Sequence, residues 1–543
     1  MSATVPRSVA RTRRRTRPVR VISCLWLCAF GAAVAAPPEA TRLFPPGGQR
    51  GTTVTVKVSG SFPSWPAAAW TERAGTAWEP QAETGTYAVA VAPDAPLGVH
   101  LARFTSAEGA TAVRRFVVGA TGQVVEAEPN DRPAQALAIE ELPVVVDGVL
   151  EKRGDVDLVR VRLAAGETLV AQADSNRLLR TPADLALEVV DARQSILARS
   201  LDASGLDPRV VFRAPADGTF VVRVWALPEA PDSTIGFSGG ESWVYRLALS
   251  KGRFLVGSLP LVVTRGADAS VLPLGPGLEG AAALPIPAAA TLPDATGARS
   301  TVSLAIDGVG GVAEVAVSES PVLVGEGPAG TLPVVFAGVL RAPREKARHR
   351  FVATKDMAVS LVVEGQSIGT ELDPLLSVRD AAGTLVASTD EPAGKLSWKA
   401  SADGEYVAEV SDRRGQAGPG HAYRLSIEPP SPRVRLASDV DRLSGEPGKP
   451  IELTVTLQRE HGHAETLEIT LDGAPEGVTA EKVTSSGSGD TAAKVTLSIV
   501  AAGPVSAPVR VVARPVDKPD APPTPVRFGP EGVGTLWLGV KAP

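Results

Sequence analysis

Glu126, Glu128, Asn130 and Asp131 fall within six residues, and Asp155 and Asp157 follow about one strand later. These side chains offer oxygen only. Calcium takes six to eight hard oxygen ligands, and a hairpin that brings two short acidic segments together can supply them. The residues therefore form a candidate calcium set, with Glu126, Glu128, Asn130, Asp131, Asp155 and Asp157 as ligands. The same residues admit a plainer reading, in which Asn130 and Asp131 cap a short helix beginning near Pro133 and the acids stay solvated.

The rest of the chain carries only fragments of the motifs for covalent or acid–base chemistry. Gly236-Phe237-Ser238-Gly239-Gly240 has the spacing of a nucleophile elbow, but that device needs a strand before it and a helix after it, and neither is written there. A serine-protease triad in the order His, Asp, Ser is also unsupported, because His100 is the sole histidine before Ser238 and lies in a different module. His349, His421, His461 and His463 lack the helical spacing of a zinc hydrolase, and His461-Gly462-His463 reads as a solvated hairpin turn. Carboxylate pairs for glycoside hydrolysis meet only in space, and nothing in the sequence singles one out. Trp65, Trp70 and Trp78, with Trp225 and Trp243, suit the interior of a sandwich; exposed, they would suit a carbohydrate or peptide face. No catalytic residue is assigned.

The elements that must position the acidic segments are strands. Apolar residues alternate at Val54, Val56 and Val58, at Val159, Val161 and Leu163, at Leu453, Val455 and Leu457, and at Val495, Leu497 and Ile499. With 53 Gly and 47 Pro breaking the chain, little room remains for a long helix, and Ala134 to Glu141 alone reads as helical, for about two turns. The fold class is all-β, a set of tandem β-sandwich modules of jelly-roll or immunoglobulin-like kind joined by short Pro-rich linkers such as Pro429-Pro430-Ser431-Pro432. An internal repeat is visible. Gly148-Val149-Leu150 recurs as Gly338-Val339-Leu340, Asp184-Leu185-Ala186-Leu187 as Asp373-Pro374-Leu375-Leu376, Ala216-Asp217-Gly218-Thr219-Phe220 as Ala402-Asp403-Gly404-Glu405-Tyr406, and Tyr245-Arg246-Leu247 as Tyr423-Arg424-Leu425.

Glu126-Ala127-Glu128-Pro129-Asn130-Asp131, then Gly154-Asp155-Val156-Asp157, Ala165-Gly166-Glu167 and Asp217-Gly218-Thr219-Phe220 together resemble the bacterial pre-peptidase C-terminal domain. Residues 124–251 carry the resemblance from end to end, and 321–428 resemble a second, degenerate copy without the opening acidic motif. The resemblance implies β-sandwiches appended to secreted bacterial proteins, often peptidases. In the related collagen-binding domains of bacterial collagenases an equivalent acidic segment and a later acidic pair bind calcium. It identifies accessory modules and no activity. In the second copy Arg344-Glu345-Lys346 stands where Asp155-Val156-Asp157 stands in the first, so no calcium is expected there. The other modules are an immunoglobulin-like domain at 37–119, a shorter one at 253–320 and a C-terminal one at 431–543.

At the N-terminus, Arg7, Arg11, Arg13, Arg14, Arg15, Arg17 and Arg20 precede an acid-free apolar run from Val21 to about Ala33, which ends in Ala33-Val34-Ala35. This is the pattern of a signal peptide, residues 1–35, cleaved near Ala35. Val21-Ile22-Ser23-Cys24 has the residue types of a lipoprotein box, but the arginines occupy the side where its apolar segment belongs. Arg13-Arg14-Arg15 lacks the large apolar residue that twin-arginine export expects after it. Both cysteines, Cys24 and Cys28, lie inside the signal, so the mature 508 residues have no disulfide and no thiol. The mature formal charge of −12 argues against a nucleic-acid partner. No later apolar stretch has membrane length, so no membrane span is expected after cleavage. The expectation is a secreted, periplasmic or cell-surface binding and scaffold protein for a protein or polysaccharide partner. The alternative is an accessory subunit or diverged member of a secreted peptidase or hydrolase system.

Overall fold

The computed structural model describes residues 36–203, 205–228, 236–293, 300–389, 391 and 394–542, so the expected signal peptide lies outside the described residues. The period-two apolar runs become strands with one buried face. In Ile451–Glu460, Ile451, Leu453, Val455 and Leu457 are buried while Glu452, Thr454 and Thr456 are exposed. Fully burying one such side chain contributes roughly 1.5–3 kcal/mol, enough across several strands to offset the ordering of the chain. The fold is all-β and built of sandwich modules.

Residues 123–251 supply two five-stranded sheets. One runs Gln123–Val125, Val144–Val149, Val244–Lys251, Thr168–Asp174, Arg209–Arg213; the other runs Leu137–Ile139, Asp157–Leu163, Gly218–Ala226, Leu185–Val190, Ile196–Ser200. Their inner faces share one core, with Val146, Val161, Leu169, Leu187, Val222 and Leu247 at its centre. Residues 322–428 repeat this strand order: Val322–Val324, Val334–Val339, Ala422–Glu428, Ala358–Glu364, Lys395–Lys399 against Gly330–Thr331, Ala347–Ala353, Gly404–Asp412, Pro374–Arg379, Leu385–Thr389. In both segments the first strand of each sheet pairs in parallel and the rest are antiparallel.

The helix expected over Ala134 to Glu141 does not form. Its middle becomes the strand Leu137–Ile139, paired in parallel with Val159–Val161. Two turns of isolated helix are marginal in water, whereas the sheet edge satisfies the backbone and lets Leu137 and Ile139 pack on the core. The α-helices among the described residues are the four-residue Asn176–Leu179 and Ala288–Thr291.

Residues 39–119 form a four-stranded and a five-stranded sheet around Tyr87, Phe104 and Phe116. Trp65 and Trp78 pack edge-on against that aromatic centre. Residues 254–318 supply only two- and three-stranded sheets, and residues 433–540 one continuous ten-stranded sheet. The modules are not strung out. From Ala36 onward the chain forms one compact unit, in which the last module docks on the first. Leu101 and Val113 of the first join the core of the last. Beside them the wholly buried Arg103 donates to the backbone oxygen of Asp441 at 3.0 Å and to its carboxylate at 3.3 Å. The guanidinium lies 5.4 Å from the Trp70 ring and 5.9 Å from the Trp537 ring. Trp70 therefore packs at a junction between modules and not within a sandwich.

Candidate metal centre

The strand Gln123–Val125 runs beside Val144–Val149, and the Glu126 N–H continues the ladder by donating to the Asp147 oxygen at 3.1 Å. Glu126 thereby arrives at the end of the sheet next to Tyr245. Asp157 is the first residue of its strand in the facing sheet, and Asp155 sits in the turn before it. The loop 126–136 crosses between the two sheets and delivers Glu128, Asn130 and Asp131 to the same place. Carboxylate oxygens of Glu126, Glu128 and Asp157 lie within 4.8 Å of one another, as do those of Glu128, Asp131 and Asp155. The two trios share Glu128.

Hydrogen bonds fix this arrangement. One Glu126 oxygen accepts from the Val149 N–H; the other accepts from Asn130 Nδ2 at 3.1 Å and from the Tyr245 hydroxyl at 3.0 Å. The same hydroxyl stands 2.7 Å from Asp157 Oδ2. Asp155 Oδ2 accepts from the Glu151 N–H at 2.5 Å, Asp131 Oδ1 from the Val156 N–H at 3.3 Å, and Glu128 Oε2 from the Asn130 N–H at 3.2 Å. Asn130, Asp155 and Asp157 are at most 1% exposed. Asn130 Oδ1, Asp155 Oδ1 and Asp157 Oδ1 are buried without a hydrogen-bond donor. Such orphaned oxygens are costly unless a proton or a cation serves them.

The electrostatics follow from that crowding. Burial pushes Glu126 up to about 7, and Glu128 upward as well. Burial, and then the proximity of Asp131, raises Asp155 to about 6. Burial followed by repulsion from Glu126 raises Asp157 to about 10. The donor set is oxygen throughout, which suits a hard cation such as calcium and not a zinc or copper ion. Since no helix begins near Pro133, Asn130 and Asp131 cap none.

Tyr245 was visible in the sequence as part of the repeat but not as part of the site. Its signal was the equally repeated Gly148. The two are cross-strand partners, and a Cβ at Gly148 would lie 2.2 Å from the Tyr245 ring. The pair Gly338 and Tyr423 repeats the device, with a Cβ at 2.3 Å from the hydroxyl.

The second repeat has the same scaffold and different chemistry. Leu163 opposite Gly218 corresponds to Ala353 opposite Gly404, so the strand register places Glu345 at the position of Asp155 and Ala347 at that of Asp157. The alignment of Arg344-Glu345-Lys346 with Asp155-Val156-Asp157 is thus one residue out. Arg344, with φ +64°, instead matches the turn glycine Gly154 at +88°. Gly325 takes the place of Glu126, and a much shorter connection, Gly325 to Gly330, omits the rest of the acidic segment. The Tyr423 hydroxyl meets His349 Nε2 at 2.7 Å, and burial lowers that imidazole to about 4, keeping it neutral.

Other candidates of the sequence do not converge. Ser238 bridges in antiparallel fashion to Ala226, in a loop that packs over Leu150–Gly154. His461 occupies a turn at φ +52°, but His463 is buried rather than solvated, its Nδ1 2.7 Å from the Arg459 guanidinium. Trp225 and Trp243 are buried.

No family model matches the chain, and no curated protein does. Solved structures similar to it include a periplasmic inhibitor of g-type lysozyme from Aeromonas hydrophila, at 13% identity over 24% of this chain and 98% of that one, with a TM-score of 0.16. The pre-peptidase C-terminal domain of collagenase from Bacillus anthracis is similar at 18% identity over 22% of this chain and 100% of that one, TM-score 0.17. Escherichia coli α2-macroglobulin activated by porcine elastase is similar at 10% identity over 92% of this chain and 52% of that one, TM-score 0.14.

Proposed function

We propose that the chain is an exported, non-catalytic binding and scaffold protein for a protein or polysaccharide partner, and that its first repeat is stabilised by calcium. The observation that carries the calcium reading is the convergence of Glu126, Glu128, Asn130, Asp131, Asp155 and Asp157 around buried oxygens that lack donors. Glu126, Glu128 and Asp157 would hold the ion, with the adjoining trio of Glu128, Asp131 and Asp155 sharing Glu128 with that position. The cation would neutralise carboxylates that burial otherwise keeps protonated, tying the loop 126–136 to both sheets. Its work is structural.

Calorimetric titration of the mature chain with calcium chloride tests the reading. The expected result is a saturable heat together with a raised melting temperature, since calcium at about 100 times its Kd adds roughly 2.7 kcal/mol to the folded state. Asp157→Asn in the same chain should abolish both signals, leaving none from the second repeat. Neither heat nor thermal shift with the unaltered chain would end the calcium reading. The binding role is tested by pull-down of the mature chain against polysaccharides and collagen-like peptides, with retention of neither class counting against it.

A further inference from the structure

Where the first repeat, residues 254–318 and the second repeat meet, they leave a cleft of about 330 Å³. Its walls are charged in opposite senses. The first repeat contributes Arg177 and Arg209, the middle segment Glu314 and the second repeat Glu371.

The basic wall is built. Gln172 and Asp174 alternate with the core residues Ala171 and Ala173, so both face away from the sandwich interior, and both are 7% exposed. Gln172 Nε2 donates to Asp174 Oδ2 at 3.0 Å, Arg209 Nε donates to Gln172 Oε1 at 2.8 Å, and Arg177 Nη2 donates to Asp174 Oδ1 at 2.9 Å. One buried amide and one buried carboxylate, bonded to each other, thus anchor one guanidinium each at the wall of the cleft. The terminal amino groups of Arg209 have no hydrogen-bond partner among the described residues. In the second repeat, strand register puts Val362 and Lys395 where Gln172 and Arg209 stand, so that repeat lacks the arrangement.

The acidic wall is open. Glu371 is 67% exposed, with the His421 imidazole 3.8 Å from its carboxylate. Paired guanidiniums recognise a planar carboxylate, and exposed carboxylates recognise an ammonium. We propose that this cleft binds a small zwitterion bearing a free carboxylate and a free ammonium, of amino-acid to dipeptide size. The inference rests on no residue of the cation centre.

Calorimetry of the intact mature chain with L-alanyl-L-alanine, with its N-acetyl form and with its C-terminal amide tests it. The free dipeptide should bind, and blocking either end should weaken binding about tenfold or more. Arg209→Met and Glu371→Gln should each cause a similar loss, the latter without moving the melting temperature because the side chain is exposed. No heat with the free dipeptide up to about 10 mM, equal binding of the N-acetyl form, or binding indifferent to both variants would each overturn the proposal.

Discussion

A phenol has one hydrogen to give, yet the Tyr245 hydroxyl lies within bonding distance of Glu126 and of Asp157. Without a cation, the cluster reduces its negative charge by keeping protons on some of its own acids. Ordinary carboxylates titrate near 4, whereas burial places Asp155 at about 6, Glu126 at about 7 and Asp157 at about 10. The buried Asp147, at about 6 despite the guanidinium of Arg246, acts in the same direction. The folded chain then holds protons that the unfolded chain has released. This contribution to stability is complete below about pH 4 and is lost as the pH rises through 6 and 7 toward 10. Urea midpoints in a calcium chelator should therefore be lower at about pH 8 than at about pH 5, and calcium should narrow the gap by taking the place of the protons. Equal midpoints at both pH values in chelator would contradict a protonated cluster.

Among the elements, the sharpest constraint is the passage of Tyr245 over Gly148. Gly148→Ala would put a methyl group into the ring, and Gly338→Ala would do the same at Tyr423; overpacking of this kind costs typically 1–3 kcal/mol. Denaturant unfolding should show that loss for both. Only Gly148→Ala should also weaken calcium binding, because only Tyr245 reaches the acids. Strands such as Ile451–Glu460 were legible in the sequence because burial alternates along them without interruption. The acidic residues were legible for their type, and the repeat for its order. Cross-strand register was not, since the partners of a strand are set by segments far away in the chain. A slip of one residue turns every side chain to the opposite face, which is why Ala347 and not Lys346 proves equivalent to Asp157. The supposed helix at Ala134 to Glu141 failed for a related reason: its local composition permits a helix, but a vacant sheet edge offered Leu137 and Ile139 better burial.

For the molecule as a whole, the most deeply buried polar contact between the first and last modules is Arg103 with Asp441, beside Trp70 and Trp537. Arg115 adds a two-pronged bond to Glu531, which also pairs with Arg180 at 3.5 Å, so the first, second and last modules meet at one carboxylate. Arg103→Ala would leave the buried Asp441 with the more exposed Arg442, at 3.4 Å, as a cationic partner and should cost up to about 3–5 kcal/mol, whereas Arg103→Met combined with Asp441→Leu should cost far less. Small-angle scattering should show Arg103→Ala, and not the double variant, enlarging the particle; unchanged dimensions would mean that the apolar contacts alone hold the ends together. This closure is completed only late in biosynthesis. Arg103 and its acceptor are 338 residues apart, so a ribosome finishes the first module long before the surface that covers Trp70, Leu101 and Val113 exists. A nascent chain must carry that greasy face uncovered through most of its manufacture, and a prematurely terminated chain would carry it permanently, as a ready target for chaperones and quality-control proteases.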